Sequence, residues 1–81
     1  MEIKLQLFGA FRKYGSEIIL EIPDGGLVAD LRTSLEKSLG ESSSRLIKIS
    51  RFATDKTMLD DDSEITSNIS VLAILPPVSG G

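Results

Sequence analysis

Neither cysteine nor histidine occurs in the 81 residues of this chain. Without cysteine there is no disulfide framework, no thiolate metal site and no sulfur nucleophile. Without histidine the commonest general base and metal ligand is missing. Zinc-based, serine–histidine and cysteine–histidine chemistries are therefore set aside. No apolar run approaches the ~18 residues that a membrane-spanning helix needs. The start, Met1-Glu2-Ile3-Lys4, alternates polar and apolar in place of the basic segment and long apolar stretch of a signal peptide. The reading is a cytoplasmic protein without a membrane partner. A run of Lys and Arg is also lacking, and the formal net charge is −3. That argues against nucleic acid, whose phosphates demand a concentrated basic face, and suits a basic surface on a protein partner.

What is present is the composition of a globular domain, with 41% hydrophobic and 26% charged residues. A single domain of this size buries roughly 60% of the surface its unfolded chain exposes, which leaves little room for an enclosed active site. The densest acidic run, Asp60-Asp61-Asp62 with Glu64, lacks the alternating ligands and central glycine of a calcium-binding loop and reads as a solvated turn.

Residues Glu2 to Phe8 alternate Ile3, Leu5 and Leu7 with Glu2, Lys4, Gln6 and Phe8, the period-two pattern of a half-buried strand that leaves Phe8 on the polar side. Turn residues follow from Gly9 to Gly15. Ile18, Leu20 and Ile22 then alternate with Glu17, Ile19 and Glu21 in a second strand, stopped by Pro23-Asp24-Gly25-Gly26. From Leu27 to Leu39 the period changes, and Val28, Leu31, Leu35 and Leu39 recur at helical spacing with Gly40 placed as C-cap. A serine-rich loop leads to a strand expected near Leu46 to Ala53, a turn at Thr54-Asp55-Lys56 and a short strand at Thr57 to Leu59. A short helical turn is expected around Ser63 to Ser67, then an apolar strand from Ser70 to Leu75 that Pro76-Pro77 ends.

The order strand, strand, helix, strand, short strand, strand fits an α+β fold of the β-grasp (ubiquitin-like) type. Four to five strands of mixed sheet would pack on one main helix, the first and last strands running parallel at the centre. Residues 1–75 form the domain and 76–81 an extended tail.

That tail, Pro76-Pro77-Val78-Ser79-Gly80-Gly81, is the most informative segment. The prolines cannot continue a ladder, so the chain should leave the sheet here. Terminal glycines have no Cβ, so their backbone can enter a channel too narrow for side chains. This is the shape needed if another protein must activate or attack the α-carboxylate of Gly81.

The ending Leu75-Pro76-Pro77-Val78-Ser79-Gly80-Gly81, on a chain of this length and element order, resembles the small subunit of molybdopterin synthase, a ubiquitin-like sulfur carrier. The helix start Gly26-Leu27-Val28-Ala29-Asp30-Leu31-Arg32 adds weakly to the likeness. The resemblance implies ATP-dependent adenylation of Gly81 by an activating enzyme, conversion to a thiocarboxylate by partner enzymes, and entry of Pro76 to Gly80 into the active site of a large subunit. Gly81 would be the reactive terminus, and the sulfur would serve dithiolene formation in molybdenum cofactor biosynthesis. It also implies a heterotetramer with the large subunit, no bound cofactor or metal, and no stand-alone catalysis. Docking positions carried over are Phe8 and Leu75, with Leu59 as a looser third. The chain departs from the family pattern in the turns at Thr54-Asp55-Lys56 and Asn68-Ile69-Ser70, where Asn68 would supply the positive φ of a turn glycine. Three other readings stand beside this one: a thiamine-type sulfur carrier, a ubiquitin-like protein modifier, and a β-grasp interaction module that makes no use of its tail.

Overall fold

A computed structural model of the chain describes residues 1–69 and 71–77. Its strands are β1 (Glu2–Leu7), β2 (Glu17–Glu21), β3 (Arg51–Ala53), β4 (Met58–Leu59) and β5 (Leu72–Leu75), and its α-helices are α1 (Val28–Leu39) and α2 (Ser44–Ile49). The five strands form one mixed sheet in the order β2-β1-β5-β3-β4, with β1 and β5 parallel and the other neighbours antiparallel. This is the β-grasp arrangement, with the last strand at the centre.

Alternation in β1 and β2 sorts the side chains as expected. Leu5, Leu7 and Leu20 are buried against α1, while Ile19 on the outer row is 58% exposed. The 3.6-residue period of α1 buries Val28, Leu31 and Leu35. Phe52 and Ile74, paired in register on β3 and β5, complete the floor of the core. Asp30 Oδ2 accepts the Leu27 N–H at 2.8 Å and closes the start of the helix. At its other end Gly40, with φ 97°, donates its N–H to Glu36 O at 2.8 Å.

Three expectations are corrected and the turn from Gly9 to Gly15 is refined. The stretch expected to be one strand from Leu46 to Ala53 is two elements, because α2 runs to Ile49 and only Arg51–Ala53 joins the sheet. Ile47 is held in the core, and Arg32 Nη1 donates to its carbonyl at 2.5 Å, so packing against α1 makes this segment helical. The connection between β1 and β2 is a 3-10 helix, Gly9–Tyr14, plugged into the core by fully buried Phe11. The segment 63–67 is not helical. Its backbone serves α1 instead, with Ser63 O accepting from Val28 N at 3.0 Å and Ile65 N donating to Gly26 O at 2.8 Å. Finally, no non-glycine residue among those described has a positive φ, so Asn68 does not replace a turn glycine in that way.

At the β3–β4 turn, Thr54 Oγ1 accepts from the N–H groups of Lys56 and Thr57, both at 3.1 Å. A hydroxyl thus shapes the turn by the same side-chain-to-backbone logic that an Asn would use.

Candidate functional site

The place where β5 ends is built by three segments. Leu75 is the register partner of Arg51, on the row that faces away from α1, and Pro76 and Pro77 follow without N–H groups to extend the ladder. On the parallel neighbour, the register Leu5↔Leu72, Gln6↔Ala73, Leu7↔Ile74 carried one residue further sets Phe8 beside Leu75. Phe8 is still extended there, with φ −126° and ψ 162°, and is 39% exposed. Gly9 then turns the chain with φ 58° beneath Pro76, at a distance where a Cβ would stand 2.6 Å from Pro76 Cγ.

The third segment is α2. Its residues Leu46 and Ile49, one turn apart, close an open groove of about 670 Å³ whose other walls are Phe8, Leu75, Pro76 and Pro77. Ile49 is 55% exposed, so the groove is an apolar surface presented to solvent at the root of the tail. No titratable side chain lines it. Its chemistry is docking, and proton transfer has no group to act through.

Of the residues singled out from the sequence, Phe8, Leu75, Pro76 and Pro77 come together here. Leu59 does not: it is the register partner of Phe52 and packs half-buried against the core cluster, on the α1 side of the sheet. Val78, Ser79, Gly80 and Gly81 lie outside the described residues. Leu46 and Ile49 escaped the sequence reading because a strand was expected there. Their three-residue spacing after Ser43 and Ser44 was the available signal.

The acidic turn is tied into the fold. Asp61 Oδ1 accepts from Arg32 Nε at 2.9 Å, Asp60 lies 3.6 Å from Arg51, and Asp61 O accepts the Ala29 N–H at 3.1 Å. Asp30, Ser63 O and Asp61 O already occupy the first N–H groups of α1, so that helix end has no donors left for an anion. Among the described residues no cluster of three acidic side chains is arranged to hold a metal ion, and no helix is long and apolar enough to cross a membrane.

A family model described as the ThiS family matches residues 5–81, nearly the whole chain. The chain belongs to the ThiS family. It is a ubiquitin-like sulfur carrier by family and a β-grasp protein by structure. No curated protein matches this ThiS-family chain. Among solved structures it is similar to SAMP1 from Haloferax volcanii, at TM-score 0.81 and 17% identity over 100% of both chains. It is also similar to a putative molybdopterin converting factor subunit 1 from Pyrococcus furiosus, at TM-score 0.73 and 22% identity over 96% of this chain and 99% of that one. A third similar structure comes from a complex of subunits 1 and 2 of molybdopterin-converting factor from Helicobacter pylori, at TM-score 0.67 and 20% identity over 100% of both. At these identities the likenesses speak for the fold.

Proposed function

We propose that this ThiS-family chain carries sulfur as a thiocarboxylate on Gly81 and delivers it to the large subunit of a molybdopterin synthase, for dithiolene formation in molybdenum cofactor biosynthesis. The observation that carries the reading is the apolar groove of Phe8, Leu46, Ile49 and Leu75 at the root of Pro76-Pro77. A carrier needs a surface that holds its partner while the tail reaches the reaction centre, and the groove sits where β5 hands over to the tail. Docking there would aim residues 76–80 at the partner's active site, and the unbranched Gly80-Gly81 end suits a narrow channel.

The chemistry at the terminus is supplied by others. An adenylating activating enzyme would convert the Gly81 carboxylate and ATP to the acyl adenylate and pyrophosphate. Attack by sulfide-level sulfur, hydrosulfide in the simplest case, would then form the C–S bond, release AMP and a proton, and leave the thiocarboxylate. The carrier contributes shape, reach and docking, and no bound cofactor. A thiamine-type carrier and a protein modifier begin from the same adenylate and differ in the acceptor, and a tail-independent interaction module would use the groove alone. The sulfur acceptor is tested by reconstitution. The chain charged with sulfur and mixed with a molybdopterin synthase large subunit and its pterin precursor is expected to yield the dithiolene product. Product with a thiazole-forming synthase alone would move the chain to the thiamine-type role, and attachment to substrate lysines without either product would make it a modifier.

A further inference from the structure

The charges of this acidic protein are unevenly placed. The segments that line the groove, residues 8–10, 46–49 and 75–77, contain no Asp or Glu, although the chain has twelve. On the 3-10 helix Gly9–Tyr14, on α2 and at the start of β3 lie Arg12, Lys13, Arg45, Lys48 and Arg51, five of its nine cations, and all five are exposed.

Four of the five adjoin the groove's lining residues by sequence spacing or strand register. Arg12 and Lys13 follow Ala10 on the same 3-10 helix. Arg45 is four residues before Ile49 on α2, a spacing that sets the two on one side of the helix. Arg51 is the register partner of Leu75. Lys48 turns instead to the cleft beside Arg32 and Glu36. Among the described residues, Arg12, Lys13 and Arg45 have no ion-pair partner, and Arg51 has only exposed Asp60, 3.6 Å away.

We infer that the groove docks a protein segment with an apolar anchor flanked by Asp or Glu, the anchor lying between Phe8 and Ile49 and the carboxylates meeting Arg12, Lys13, Arg45 and Arg51. This reverses the expectation from net charge that the partner surface is basic, because no Asp or Glu lines the groove and, of the four rim cations, only Arg51 has an acidic neighbour among the described residues. Charge complementarity selects the occupant. A second copy of the chain would set one basic rim against another, and a nucleic acid would be repelled by the rest of an acidic molecule. The inference deepens the delivery reading by naming the partner surface beside the tail, and rests on that reading only in taking the occupant to be protein.

The test uses the full ¹⁵N-labelled chain and a synthetic peptide with a central Leu-Phe pair flanked by Asp and Glu. Matched controls are a peptide with Lys flanks, an acidic peptide without the apolar pair, and an oligouridylate. The acid-flanked peptide is expected to shift the amides of residues 8–10, 46–49 and 75 and to bind several-fold more tightly than every control. It should weaken as salt rises from about 0.1 M to about 1 M, where the screening length falls from about 10 to about 3 Å. Reversing two exposed cations together, Arg12→Glu with Arg45→Glu, should transfer the preference to the Lys-flanked peptide while the circular dichroism spectrum stays unchanged. Equal binding of both flanks, shifts mapped elsewhere, tighter binding of the oligouridylate or no binding at millimolar peptide would each overturn the inference. None of these readouts involves Gly81, so failure here leaves sulfur loading intact, and failure of sulfur loading leaves the groove's preference measurable.

Discussion

Gly9 and Pro76 meet so closely that a Cβ on Gly9 would stand 2.6 Å from Pro76 Cγ and 3.3 Å from its Cδ. The loop after the first strand and the start of the tail are thus set against each other by the one residue type without a side chain. Gly9 also has φ 58°, a left-handed conformation that costs other residues about 1–2 kcal/mol. Gly25 has φ 77° with nothing within 4 Å of where its Cβ would be. Gly25→Ala should therefore pay only the backbone cost, about 1–2 kcal/mol, whereas Gly9→Ala should pay that and also displace Pro76. Urea unfolding of both variants measures the difference, and the shifts of the Leu75 and Val78 amides, the N–H groups that flank the two prolines in sequence, report the displacement. Equal losses would show that the Gly9–Pro76 contact does not hold the tail root.

Phe8 and Phe11 lie three residues apart and have opposite duties. Phe11 is fully buried and Phe8 is 39% exposed. Phe11→Ala is expected to cost about 3–5 kcal/mol of stability. Phe8→Ala should change stability by about 0.5 kcal/mol or less, and should weaken binding of the proposed large-subunit partner by about 2 kcal/mol as a docking anchor. Calorimetric melting and titration of the two variants separate these roles.

Leu59 and Leu75 should part in the same way. Leu59 packs half-buried on the core side of the sheet, and Leu75 lines the groove. Leu59→Ala is expected to lower stability by about 1–2 kcal/mol, a partly buried version of the usual cavity cost, with partner affinity unchanged once the variant is folded. Leu75→Ala should act mainly on affinity. A loss of affinity in Leu59→Ala at full folding would return Leu59 to the interface.

Arg32 gathers three parts of the molecule. Its guanidinium donates to Ile47 O and Asp61 Oδ1 and stands 5.1 Å from the Phe52 ring centroid. Arg32→Lys cannot reproduce a planar fork aimed at two acceptors and a ring. It is expected to cost about 1–3 kcal/mol, the cost of leaving a partly buried acceptor without its donor. Asp61→Asn should cost less, because that carboxylate is 62% exposed and an exposed ion pair contributes about 1 kcal/mol or less. Hydrogen exchange in α2 should quicken in Arg32→Lys more than in Asp61→Asn.

Elements whose burial follows one period over several turns were legible in the sequence. Ile3, Leu5 and Leu7 announced β1, and Val28, Leu31 and Leu35 announced α1. So was the central parallel pair, through the apolar run of β5. The short elements were not. α2 has six residues and its N-cap Ser43 makes no side-chain cap, so its helicity comes from Ile47 in the core and from Arg32, fifteen residues earlier, which donates to the Ile47 carbonyl. Residues 63–67 were expected to turn helically, but their hydrogen bonds go to the start of α1, a partner that local sequence does not reveal. Half of the groove was therefore visible in advance, the half made by Phe8, Leu75 and the prolines. The half made by Leu46 and Ile49 depended on recognising α2.

The most direct test of the central claim is the intact mass of the chain after incubation with ATP, an activating enzyme that acts on ThiS-family carriers and a sulfur source. Expected is a gain equal to the replacement of one oxygen by one sulfur, mapped to Gly81 and absent when Gly81 is deleted. An unchanged mass, with the same enzyme shown to load a known carrier, would contradict the sulfur-carrying role and leave the groove as an interaction surface without tail chemistry.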